Sequence, residues 1–204
     1  MSRLLAITSS PKPEGSVSNA LVQDFVDSWT FINAGGEVVL RDVGLTPPPH
    51  LDGATIGSFY TPEDQRDDSA RNLIALSDAL VEELEAADVI VIGAPMHNFG
   101  LSSGLKTWID HVARVGRTFA YTDQGPKGML TGKKVFVLGA RGGNYSPGSP
   151  AHAMDFVTPY LKTVLGFIGL DDVTFIHAEG VASGGDGIEK AHRMVKSTFG
   201  KQAA

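Results

Sequence analysis

Residues 94–112, APMHNFGLSSGLKTWIDHV, follow an apolar run and bring His97, Asn98, Ser102 and Asp110 together within one short stretch. Gly100, Ser102 and Gly104 match G-x-S-x-G, and Asp171 or Asp186 with His177 or His192 follow in the order that a hydrolase triad requires. A nucleophile elbow needs a strand that runs directly into its turn. Here the strand is expected to stop near Gly93, and Pro95 intervenes, so Ser102 is expected to cap a helix instead of attacking a carbonyl.

The other chemistry on offer is ligand binding. SSPKPEGSVSN, after the first apolar run, supplies hydroxyls from Ser9, Ser10, Ser16 and Ser18, with Gly15 to bend the backbone before a helix N-terminus. Free N–H groups at such a terminus suit a phosphate dianion, although simple capping by Ser18 beneath a polar surface loop is the other reading of the same residues. Neither G-x-x-x-x-G-K-[ST] nor G-x-G-x-x-G occurs, which favours a mononucleotide such as FMN over a dinucleotide. In the loop after the third run, Met96 and Phe99 offer flat apolar contact for a ring, and Asn98 with nearby backbone N–H groups offers partners for its heteroatoms. The competing reading makes the same apolar residues a cap on the core. Gly142 and Gly143, in GARGGNYSPGSP, permit close backbone approach or make an ordinary turn.

These three loops are positioned by a regular alternation. Short apolar runs at 4–7, 38–40, 89–92 and 135–138, with a fifth in VTFIH from Val173, fit strands buried on both faces. Between them lie helical patterns. The first begins near Ser18, carries Leu21, Phe25 and Trp29, and ends where Gly35 or Gly36 takes the left-handed conformation. The second covers 71–87 with a stripe of Leu73, Leu76, Leu80, Val81 and Leu84; others cover 103–114, 154–168 despite Pro159, and 187–199. Alternation of this kind predicts an α/β fold, a doubly wound five-stranded parallel sheet with helices on both faces, in a single domain over residues 1–204. Ligands of such sheets bind at the C-terminal strand ends, which is where the three loops fall. Residues 44–69 and 115–132 read as long Gly- and Pro-rich loops that cover a site or partner surface.

Composition narrows the classes further. A net charge of −6 without a Lys/Arg cluster argues against nucleic acid, and the absence of cysteine excludes disulfides, thiolate metal sites and thiol chemistry. The N-terminal apolar run is too short for a signal-peptide core or a membrane span, so a cytoplasmic location without membrane insertion is expected.

The chain resembles the bacterial FMN-dependent NADH azoreductases, which also act as NADH:quinone oxidoreductases and have a flavodoxin-like fold. SSPKPEGSVSN, ADVIVIGAPMHNFGLSSGLKTWIDHVARVGRTFAY, GPKGMLTGKKVFVLGARGG and TPYLKTVLGFIGL follow the family's order and spacing. The resemblance implies that Ser10, Ser16, Val17 and Ser18 hold the phosphate end of FMN. It places Met96, His97, Asn98 and Phe99 along the isoalloxazine, and Ala140, Arg141, Gly142 and Gly143 at its other edge. It also implies a homodimer with Tyr121 and Phe167 near the substrate, NADH or NADPH as donor, and a quinone or azo acceptor. No metal and no obligate catalytic side chain are expected, because the cofactor carries the chemistry. Two departures stand out: the family commonly has Tyr in place of His97 and Ser in place of Ala140. A flavodoxin-type electron carrier without NADH turnover, and a protein that kept the fold without the cofactor, are the competing functions.

Overall fold

The computed structural model describes residues 1–200. The chain runs through β1 (Arg3–Thr8), α1 (Val17–Ile32), β2 (Glu37–Asp42), α2 (Gly53–Tyr60), α3 (Asp68–Ala86), β3 (Val89–Pro95) and α4 (Ser103–Val112). It continues with β4 (Phe119–Thr122), β5 (Gly125–Gly128), β6 (Lys134–Ala140), α5 (Thr158–Phe167), β7 (Asp172–Ala178) and α6 (Gly187–Gly200). Strands β2, β1, β3, β6 and β7 form, in that order, a five-stranded sheet whose pairings are all parallel. The chain winds from β1 out to β2, then crosses back to β3 on the other side of β1. The C-terminal ends of β1 and β3 therefore border the switch point of the winding, where a crevice opens.

Alternate side chains of the inner strands bury on opposite faces. Leu4, Ala6 and Val91 pack under α1 and α6 with Leu21, Phe25, Ala191 and Val195, while Leu5, Ile7, Ile90 and Ile92 pack under α3, α4 and α5. Burial on both sides is what gives these strands unbroken apolar runs and fixes their register. At Gly93 an added Cβ would lie 3.0 Å from Val22 Cγ2, so the absence of a side chain lets α1 sit close against β3.

Several boundaries differ from the sequence reading. Ser16, not Ser18, caps α1 by accepting from the Asn19 N–H at 3.3 Å, and Ser18 is buried; Gly35 has φ +84° after the helix, as its position suggested. Helix α3 starts earlier, because Asp67 caps it through the Ala70 N–H at 2.8 Å. Its buried stripe is Ile74, Ser77, Leu80, Val81 and Leu84, while Leu73 and Leu76 lie toward solvent. Strand β3 continues through Pro95, whose missing N–H is harmless there because the Met96 N–H takes up the pairing to Ala140 O at 2.9 Å. The helix expected from 154 is divided: a short 3₁₀ turn at His152–Met154 is followed by α5, with Pro159 in its first turn, where proline is tolerated.

The two stretches expected as loops hold structure. Residues 44–69 contain α2, capped by Asp52 through Thr55 N–H at 2.8 Å, and residues 115–132 contain the antiparallel β4/β5 hairpin. The hairpin's base is tied to the turn after α5, where the N–H groups of Met129 and Leu130 donate to Ile168 O at 3.1 and 3.0 Å. No helix among the described residues is long and apolar enough to cross a membrane.

Candidate functional site

At the C-terminal ends of β1, β3 and β6 three loops converge on one cavity of about 220 Å³. Its walls hold Ser10, Ser16, Val17 and Ser18 from the first loop, Pro95 and His97 from the second, and Ala140, Arg141 and Gly142 from the third. Most of the site residues read from the sequence are thus brought to one place. Lys12 and Val181 also line it, and neither was singled out. The signal for Lys12 was available, since it is the sole cation in SSPKPEGSVSN.

The first loop gathers hydroxyls and backbone donors. Ser9 Oγ donates to Gly93 O at 2.6 Å, anchoring the loop to β3, and Lys12 N–H donates to Ser10 Oγ at 3.3 Å. Gly15 turns the chain with φ +65°, and the Ser16 and Ser18 hydroxyls then lie 3.3 Å apart at the start of α1. The first N–H groups of α1 have no intrahelical acceptor by the geometry of any helix start, so Val17 and Ser18 present donors there.

The second loop is a two-residue hairpin turn. His97 and Gly100 exchange both backbone hydrogen bonds at 2.9 Å, which forces Asn98 and Phe99 to φ +48° and +67°. Asn tolerates the left-handed region through its short polar side chain, but Phe does not, and strain of order 1 kcal/mol is held at Phe99. The turn leaves the N–H groups of Asn98 and Phe99 without partners among the described residues, and exposes His97 and Phe99. Phe99 is 44% exposed and meets Tyr145 edge-on at 6.4 Å between ring centroids; Met96 packs onto the core behind it.

In the third loop the side chain of Arg141 turns inward. It is 2% exposed, donating to Glu179 at 3.1 Å, to Asp155 at 3.0 Å, to Thr158 Oγ1 at 2.5 Å and to His177 Nε2 at 2.9 Å. Arg141 therefore gives the cavity its backbone, while its guanidinium pins the loop to β7 and to the start of α5. Burial, reinforced by the Arg141 charge, pulls the His177 imidazole down to about 4, so the ring is neutral at pH 7 and its Nε2 accepts from Arg141. Burial alone would raise Asp155, yet the Thr158 hydrogen bonds and Arg141 outweigh it and hold the carboxyl below its ordinary range. Gly142 and Gly143 keep N–H groups that no described residue accepts.

The triad constellation is not assembled. Ser102, 3% exposed, caps α4 by accepting from Leu105 N–H at 3.4 Å, His177 is held in the Arg141 cluster, and His192 pairs with Asp24 at 2.6 Å. Tyr121 and Phe167 are joined in one aromatic row through Phe119, with centroid distances of 5.6 and 4.4 Å. Neither lines the cavity.

A five-stranded parallel sheet wound in this order defines the class of flavodoxin-like proteins. The model of the family described as a flavodoxin-like fold matches residues 2–201, and the chain belongs to that family. It is 53% identical over 199 residues to the FMN-dependent NADH:quinone oxidoreductase of Herminiimonas arsenicoxydans, covering 98% of this chain and 97% of that one. Among solved structures, azoreductase from Bacillus anthracis strain Sterne aligns with a TM-score of 0.85 at 28% identity, over 97% of this chain and 100% of the other. The FMN-dependent NADH-azoreductase of the Ames Ancestor strain, solved with FMN, aligns with a TM-score of 0.90 at 23% identity, over 100% of both chains, a likeness of fold.

Proposed function

We propose that this chain is an FMN-dependent NADH:quinone oxidoreductase that also reduces and cleaves aromatic azo compounds. The observation that carries this is the convergence of the three strand-end loops on one cavity whose donors match a phosphorylated flavin. Relatives at about half identity bear the quinone oxidoreductase name, and the azoreductase likeness supports the second acceptor class. No feature favours a one-electron carrier.

The donor set fits the group. Ser10, Ser16 and Ser18, with the N–H groups of Val17 and Ser18, take the phosphate; hydroxyls and helix-start amides are what a dianion needs. The free N–H groups of Asn98, Phe99, Gly142 and Gly143 would donate to the heteroatoms of the ring and favour negative charge on it, and Met96, His97 and Ala140 would border it. When bound, FMN supplies the two-electron exchange, taking a hydride from NADH or NADPH and passing it to the acceptor. In a homodimer, the exposed Tyr121 and the Phe119–Phe167 row cover the partner's cavity as a substrate wall. Cytoplasmic location accords with use of NADH.

The test is the visible spectrum of purified protein with added FMN, before and after anaerobic NADH and then a quinone. Flavin bands that bind, bleach with NADH and return with quinone are expected. Failure to bind FMN refutes the proposal.

A further inference from the structure

Charge on the cavity wall is unevenly committed. Three basic residues line it: Lys12, His97 and Arg141. Arg141 is paired with Glu179 and Asp155 and buried, so its charge is already matched inside the protein. His97 belongs to the loop after β3, across the cavity from the serines. Lys12 is different. Its ammonium donates to Gly15 O at 3.3 Å, a neutral acceptor, and it makes no salt bridge among the described residues.

The local geometry aims this ammonium at the start of α1. Ser10 holds the Lys12 N–H at 3.3 Å, and the positive φ of Gly15 folds the loop so that a Cβ at Gly15 would lie 3.4 Å from Lys12 Nζ. The next residue is Ser16, the helix cap, whose hydroxyl is 3.3 Å from that of Ser18. A phosphate on the serines would find neutral hydroxyls and amides with the partial positive charge of a helix terminus, about half an elementary charge. Against a dianion this leaves most of the charge unmatched unless the lysine turns from the Gly15 carbonyl to the phosphate.

We propose that Lys12 makes that turn and is the residue by which the site selects the phosphorylated flavin over riboflavin, an inference that rests on the flavin reading above. A charged hydrogen bond of this kind is expected to strengthen FMN binding about tenfold. Riboflavin, which has no phosphate, gains nothing from it.

The experiment titrates FMN and riboflavin into the wild type, Lys12→Gln and Lys12→Arg, following quenching of flavin fluorescence at low and high salt. The side chain is exposed, so both variants are expected to keep the fold. Lys12→Gln should weaken FMN about tenfold and leave riboflavin unchanged; Lys12→Arg should restore FMN, and the salt dependence of FMN binding should flatten in the glutamine variant. Wild type that binds FMN no better than Lys12→Gln does, or an equal loss for riboflavin, overturns the role of the lysine alone. Wild type that binds neither flavin overturns the flavin reading and this inference with it.

Discussion

Replacing His177 with glutamine tests the buried cluster that holds the third loop. The wild-type imidazole accepts from Arg141 at 2.9 Å through Nε2, while its Nδ1 is buried without a partner against Gly139, where a Cβ would lie only 2.3 Å away. Burial brings the ring from its ordinary 6.5 down to about 4 in the folded protein. The folded state thus resists a proton that the unfolded chain accepts, so stability is full above pH 6.5 and falls as pH drops from 6.5 toward 4. Integrating that difference gives a loss of about 2 kcal/mol between pH 7.5 and pH 5, rising to about 3 kcal/mol at pH 4. Glutamine carries no titrating proton and still offers Arg141 an oxygen. Urea unfolding of both proteins at pH 7.5 and pH 5 should show the wild type losing about 2 kcal/mol more than His177→Gln. Equal losses in the two proteins refute the assignment of a neutral, acid-labile His177. Because Arg141 ties the third cavity loop, proposed to hold the flavin, to this cluster, FMN affinity should fall more steeply with acid in the wild type than in the variant.

Three further outcomes follow from the geometry. Ser102→Ala removes a helix cap and should cost about 1 kcal/mol in thermal or urea unfolding, with NADH:quinone turnover unchanged; labelling of Ser102 by a fluorophosphonate would revive the hydrolase reading. Gly104→Ala places a Cβ 1.9 Å from Val43 O, a backbone atom that cannot move aside, so α4 must shift; a loss of about 1–3 kcal/mol in urea unfolding is expected, and an unchanged midpoint contradicts the packing described. His97→Tyr, which removes the imidazole from the cavity wall, should alter the pH–rate profile of azo reduction; an unchanged profile excludes a proton role for His97.

The sheet was legible because its inner strands are buried on both faces, which leaves runs such as LLAI and VIVI without alternation. From the predicted alternation of strand and helix, the candidate ligand loops were placed at the ends of β1, β3 and β6, where one cavity lies. What stayed hidden depended on distant partners. Nothing near Arg141 indicates that Glu179 and Asp155 will draw its side chain inward. The stripe on α3 was read too far toward its N-terminus because Leu73 and Leu76 look like core residues, yet Ile74 and Ser77 occupy that face. Helix α2 was missed since Gly53 and Gly57 lower its propensity; the cap at Asp52 was its one local sign. Phe99 in the left-handed region was unreadable, because a phenylalanine there is set by the paired His97 and Gly100 and not by its own preference.

The β4/β5 hairpin stands outside the main sheet and is fastened only at its root, where Gly128 meets Gly169 so closely that a Cβ would lie 2.1 Å from the Gly169 nitrogen. Its tip carries Tyr121, 70% exposed, and takes no part in the core. Such an appendage is a separable cassette. Changes confined to its exposed tip leave the buried Phe119 and the glycine contact at the root untouched. With Tyr121 proposed as a substrate wall, a library built at residues 121–127 is the natural starting point for redirecting the enzyme to new dyes or quinones.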